Sequence, residues 1–148
     1  MKMNNYPIWW DKTITIFNRY DDPTTRQVSW YKTTVSNVFI KNVGDKIVVD
    51  NAILETDNTI CRIPENAKFL EKYQWIELDD KSTSFTLGVG DLIVFGEVSD
   101  EINEYVSGSR STDIINKYKK LQGCIVIKQL ALNVGVGRVN PHYYIKGE

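Results

Sequence analysis

Short alternating runs of apolar and polar residues constrain this chain more than any other feature. From Lys12 to Arg19 (KTITIFNR), Ile14 and Ile16 face one side while Thr13, Thr15 and Phe17 face the other. That is the period-2 pattern of a β-strand. Similar runs follow at Gln27–Val35, Val38–Val43, Lys46–Asp50, Ala52–Glu55 and Thr59–Ile63, and later at Leu92–Val98, Cys124–Leu132 and His142–Lys146. Turn chemistry separates them: Asp21, Asp22 and Pro23 end the first, and Gly44–Asp45, Asn51 and Thr56–Asp57–Asn58 divide the next ones. Pro64 stops the pairing after Thr59–Ile63. The longest unbroken apolar runs, Leu92–Phe95 and Cys124–Ile127, are strand-sized and fall far short of the ~18 residues a membrane helix needs.

One segment carries a convincing helical period. Thr112–Gln122 has a Thr or Ser N-cap, Asp113 in its first turn, and Ile114, Ile115, Tyr118 and Leu121 on one face. Lys117, Lys119 and Lys120 sit toward its C-terminus, where the helix dipole favours cations. Gly123 suits the position after its end. The stretch Glu65–Gly90 is ambiguous: Asn66–Tyr73 spaces its apolar residues like a weak helix, and Gln74–Leu78 alternates like a strand. Gly96, inside Leu92–Val98, marks a bulge or a close backbone approach. The pattern predicts a mainly β chain, an antiparallel β-sandwich or barrel of about nine short strands with one α-helix in the C-terminal half. Its 148 residues form one domain, 1–148, with an N-terminal arm at 1–11 and a flexible loop at 99–111.

The chain is poor in the groups that do chemistry. It has one His and two Cys, and eighteen Lys and Arg against nineteen Asp and Glu leave a formal charge of −1. A near-neutral chain has no global basic field to hold nucleic acid or an anionic membrane. Cys61 and Cys124 lie in apolar runs and read as buried free thiols in a reducing compartment. Met1–Asp11 lacks the apolar core of a signal peptide. His142 follows Pro141 at a strand start and has no partner for general-base work. Asp79–Asp80 reads as a solvated turn, and Gly88 and Gly90 precede a strand instead of the helix N-terminus a phosphate loop requires. Lys117, Lys119, Lys120 and Lys128 could touch phosphate, but the helix dipole accounts for the first three. No catalytic, cofactor-binding or metal-ligating residues are assigned, and no enzyme activity is expected.

Four Trp, eight Tyr and five Phe are the more informative population. Trp30 and Tyr31, beside Lys32, could offer a stacking platform to an oligonucleotide or oligosaccharide, although strand neighbours point to opposite faces and only one of the two can serve. Trp9 and Trp10 precede the first strand, where one ring can pack on the domain while the other anchors a partner. Candidate partner contacts are therefore Trp9 and Trp10, together with Glu104, Tyr105 and Arg110 in the 99–111 loop.

The ordered series DKTITIFNRYDD, WYKTTVSNVFIKN, TICRIP, GDLIVFGEVSDEI, STDIINKYKKL and NPHYYIKGE, spanning essentially the whole chain, resembles the small head-tail joining, minor capsid or tail-completion proteins of tailed bacteriophages and prophages. The resemblance implies a β-rich virion structural protein without enzymatic activity, acting by docking as a homo-oligomeric ring between portal or adaptor and tail. It implies localisation in the virion, and in the host cytoplasm before assembly. Its partners would be phage neck, portal, adaptor or tail proteins, with no specific nucleic acid, membrane or cofactor. The near-neutral charge suits a ring that DNA passes without being held. The rival from another class is the oligonucleotide- or oligosaccharide-binding β-barrel module.

Overall fold

The alternation of the first strand explains the architecture. In β1 (Lys12–Asp21), Ile14 and Ile16 enter one apolar cluster while Phe17 enters another on the opposite face, so every residue from Ile14 to Asn18 is buried. A strand covered on both faces must sit between two layers. The computed structural model, which describes residues 6–49, 52–134 and 140–148, shows those layers as a barrel interior and an outer helix. Six antiparallel strands close in the order β1, β2 (Val28–Val49), β3 (Ala52–Pro64), β6 (His142–Gly147), β5 (Cys124–Asn133) and β4 (Leu92–Phe95), with β4 returning to pair with β1. The chain is thus mainly β, and the sandwich-or-barrel alternative resolves to a closed barrel.

Six strands replace the nine expected because three apparent breaks are continuous ladder. Gly44–Asp45 and Thr56–Asp57–Asn58, expected as turns, lie in the β2–β3 ladder, Gly44 opposite Asp57, Asp45 opposite Thr56 and Asn58 opposite Val43. The gap at Ser36–Asn37 is a β-bulge: Lys12 pairs with Val38 and Ile14 with Val35, with Asn37 in the left-handed region at φ 61°. A bulge adds one residue and resets the alternation, so Val35 and Val38 both point into the barrel. A second register shift, between Ile127 and Gln129, turns both Ile127 and Leu130 inward along β5. The expected turn at Asn51, residues 1–5 of the arm and 135–139 of the Gly-rich connection lie outside the described residues.

The barrel interior is filled by Ile14, Ile16, Val38, Ile63, Ile93, Ile127 and Ile145, all fully buried, each worth about 1.5–3 kcal/mol of transfer free energy. Outside β1, β4 and β5, Phe17, Leu92, Val94 and Cys124 pack against Val98, Ile102, Ile114 and Tyr118. The last two project from α2 (Ser111–Lys120), the expected helix with its bounds shifted by one or two residues. Arg110 occupies the N-cap position expected for Thr or Ser, and the Asp113 carboxylate accepts the Arg110 and Gly108 backbone N–H groups at 3.2 and 3.1 Å. Gly123, at φ 99°, donates its N–H to Tyr118 O at 2.7 Å, and a Cβ there would lie 2.5 Å from the Phe95 ring.

Gln74–Leu78 is not the strand its alternation suggested. Lys72–Trp75 forms a single helical turn, α1, because the Gln74 and Trp75 N–H groups both donate to Glu71 O. That turn drives Trp75 fully inside, edge-on to Tyr20 and Tyr31 at 6.2 and 5.6 Å. β4 ends at Phe95 and not at Val98; Gly96 has φ 96° and donates its N–H to Thr13 O at 2.7 Å, the close approach its position suggested.

Candidate functional site

The two halves of the Trp9–Trp10 pair separate by environment. Trp10 is buried against Phe39 of β2, His142 of β6 and Tyr6, with ring centroids 6.2, 5.7 and 5.2 Å away. Tyr6 is itself tied down, its hydroxyl donating to Pro141 O and accepting the Glu65 N–H at 3.2 Å. Trp9 is 64% exposed and follows Ile8, which is 92% exposed, so the segment presents an apolar pair on an anchored base. Exposed large apolar side chains on ordered backbone are the raw material of a protein contact.

Glu104, Tyr105 and Arg110 cluster elsewhere, over the opening residues of β2. Glu104 Oε1 accepts the Trp30 indole N–H at 3.2 Å and the Ser111 backbone N–H at 2.8 Å. Desolvation pushes its carboxyl up, but these bonds outweigh it and hold the group below the ordinary glutamate value. Tyr105 accepts the Val28 N–H at 2.9 Å through its hydroxyl while its ring remains exposed. Arg110 is exposed at the start of α2. Within the 99–111 segment, Asn103 donates its N–H to Ser109 O at 2.7 Å, and Ile102 is buried under α2. The five candidates therefore divide between two surfaces, one near Phe39 and one near Val28.

The stacking pair is not assembled as a platform. Trp30 leans on the outer apolar cluster with its N–H taken by Glu104, and Tyr31 packs on Trp75. A cleft of about 370 Å³ opens between the end of β1 and α1, lined by Arg19, Tyr20, Asp21, Lys72 and Glu77. Three of these four charged groups are engaged locally: Arg19 pairs with Asp21 at 2.9 Å, and Lys72 donates to Arg19 O at 3.0 Å.

Sequence reasoning missed two features. The first is a buried polar network in which Asp91 accepts the Asn18 amide at 2.9 Å and the Arg19 N–H at 3.0 Å, while Asn18 also donates to Thr86 O at 2.6 Å. Burial raises the Asp91 carboxyl above its ordinary value despite those bonds and the nearby Lys72. The carboxylate takes over the β1 ladder one step past the Phe17–Leu92 pair, a role no local pattern announces. The second is the outer face of β2, β3 and β6, which places Arg62 between Phe39 and Tyr144, 5.1 and 6.0 Å from their centroids.

The remaining chemical candidates take structural places. Cys61 and Cys124 are buried free thiols whose burial pushes each pKa up to about 12. His142 opens β6 with Nδ1 2.8 Å from Asn140 O. Asp80 accepts the Ser82 hydroxyl and N–H in a turn, and these bonds lower its carboxyl pKa. Among the described residues no helix is long and apolar enough to cross a membrane, and no group of His, Cys, Asp or Glu could hold a metal ion.

No curated protein and no solved structure matches the chain. One family model matches residues 9–148, from Trp9 at the exposed apolar pair through the last barrel strand, and by that match the chain belongs to a family of unknown function, DUF6751.

Proposed function

We propose that this chain is a non-enzymatic structural protein that works by oligomeric docking, at the head-to-tail interface of a tailed-phage particle. The observation that carries the reading is the β2–β3 ribbon. β1 follows β2 only to Val38, and β6 follows β3 only to Thr59. Beyond those rows, seven residue pairs from Val43–Asn58 to Val49–Ala52 continue as two strands that pair with no third strand among the described residues.

At about 3.3 Å per residue such a ribbon reaches roughly 20 Å past its last shared row. A two-stranded hairpin is marginally stable alone in water, and its outer edges offer backbone donors and acceptors to an added strand. A closed barrel supplies the opposite property, a rigid root with its edges sealed. Together they make a grip that a neighbour completes by strand addition.

The reading is tested in a phage or prophage that carries the gene, by replacing residues 44–57 with an Asn-Gly turn. The expected outcome is unjoined heads and tails in electron micrographs while the shortened protein stays folded. Intact particles at undiminished titre would overturn it.

A further inference from the structure

On the outer face of β2, β3 and β6 the register sets side chains in two rows. Phe39 stands opposite Arg62 and Arg62 opposite Tyr144; two residues along, Lys41 stands opposite Ile60 and Ile60 opposite Lys146. Their strand neighbours Val38, Cys61, Ile63, Tyr143 and Ile145 fill the barrel, so by alternation these six point outward. None of the six is buried, and Lys41 is exposed. α2 and the 98–102 segment cover β1, β4 and β5 instead.

The rows concentrate positive charge on a chain whose formal charge is −1. They hold Lys41, Arg62 and Lys146, and among the described side chains no Asp or Glu shares them; Glu65 and Glu148 flank them, just past the ends of β3 and β6. Two rings hold the Arg62 guanidinium, with the Phe39 and Tyr144 centroids 5.1 and 6.0 Å from its carbon, and among the described residues no hydrogen bond or ion pair engages its N–H groups. A guanidinium ordered in this way keeps its donors in a fixed fork that matches phosphate. Phe39 is backed in turn by Trp10, which brings its exposed chain neighbour Trp9 to the margin of the same face.

Cations interleaved with aromatic rings on an open sheet face complement a chain of phosphates that carries planar bases. An acidic peptide would answer the charge and leave the rings unused. We infer that this face binds single-stranded nucleic acid, with Lys41, Arg62 and Lys146 set against phosphates and Tyr144 and Trp9 against bases. Recognition by charge and stacking carries little sequence preference. The face lies on the barrel, short of the unaccompanied part of the β2–β3 ribbon, so the inference goes beyond the docking reading and stands or falls without it.

The test measures the fluorescence anisotropy of a short labelled oligothymidylate at low salt with the full chain. Wild type is expected to bind with a Kd of about 1–100 μM, and log affinity to fall with log salt at a slope of about −2, as three phosphate contacts on a single strand require. Arg62→Glu and Lys41→Glu are each expected to weaken binding at least about tenfold. Lys41 is exposed, so its reversal leaves the core untouched. Lys119→Glu, on α2 and away from the face, is expected to bind like wild type. An abasic strand of the same length is expected to bind at least about fivefold more weakly, the loss of one stacked base. No binding at low salt, undiminished binding by Arg62→Glu or Lys41→Glu, or a loss as large in Lys119→Glu would each overturn the inference. So would an abasic strand that binds as tightly as its parent, or polyglutamate that competes as well as unlabelled oligothymidylate, because the face would then read charge alone and an acidic protein would be its occupant.

Discussion

At the scale of single residues, the buried polar groups make the sharpest claims. The unfolded chain titrates Asp91 at about 3.8, and burial places the folded value higher. Between the two values the folded state binds more protons, so this group's contribution to stability falls as pH rises through the window above 3.8. Asp91→Asn removes the titration, and the difference between wild-type and variant unfolding free energies in urea is expected to drift with pH across that window; parallel curves would refute the assignment. The thiols give a second outcome. With both pKa values raised to about 12, Cys61 and Cys124 carry almost no thiolate at neutral pH. A disulfide-exchange reagent is expected to label the native chain at least about a hundredfold more slowly than the chain in denaturant. The burial of the cysteines was legible, because each sits in an apolar run. Asp91 was not, since its partners Asn18 and Arg19 lie 73 and 72 residues away in sequence and only barrel closure brings them together.

At the scale of elements, Glu104 links three pieces: the 99–111 segment, β2 through Trp30, and the first turn of α2 through Ser111. Glu104→Ala leaves an indole N–H and a helix-start N–H without their acceptor and is expected to cost about 1–2 kcal/mol of unfolding free energy, with Glu104→Gln costing less. Chemical denaturation measures both, and equal losses would argue against the hydrogen bonds. The ribbon makes the opposite prediction. Because its seven pairs touch no other strand among the described residues, shortening it to an Asn-Gly turn is expected to change barrel stability by less than about 1 kcal/mol, and a loss of several would show that the barrel depends on it. α2 and β1 were legible because their periods and end signals are local. The ribbon was hidden because Gly44–Asp45 and Thr56–Asp57–Asn58 carry turn chemistry that the cross-strand register overrides. The bulge at Asn37 misled in the same way, presenting as a gap between two strands what is one strand with its alternation reset.

At the scale of the whole molecule, the inner and outer apolar clusters share β1, β4 and β5, so neither can melt while the other persists. Thermal unfolding is expected as one transition, with tryptophan fluorescence, which reports Trp75 and Trp10, coinciding with far-ultraviolet circular dichroism; separated midpoints would show that α2 detaches first. Closure around this shared core was the part of the fold least readable in advance, since it depends on which strands meet and not on any strand's own pattern. β6 shows what that implies for the order of events. It is sixth in chain order among the barrel strands, yet it fills the seam between β3 and β5, and next to it Glu148 exchanges backbone hydrogen bonds with Val126. During synthesis, every earlier strand emerges from the ribosome before the piece that seals the seam. The nascent chain must wait with the margins of β3 and β5 uncovered until residues 142–147 emerge, so its hazard is greatest just before that strand appears, and a pause or truncation ahead of His142 would strand it there.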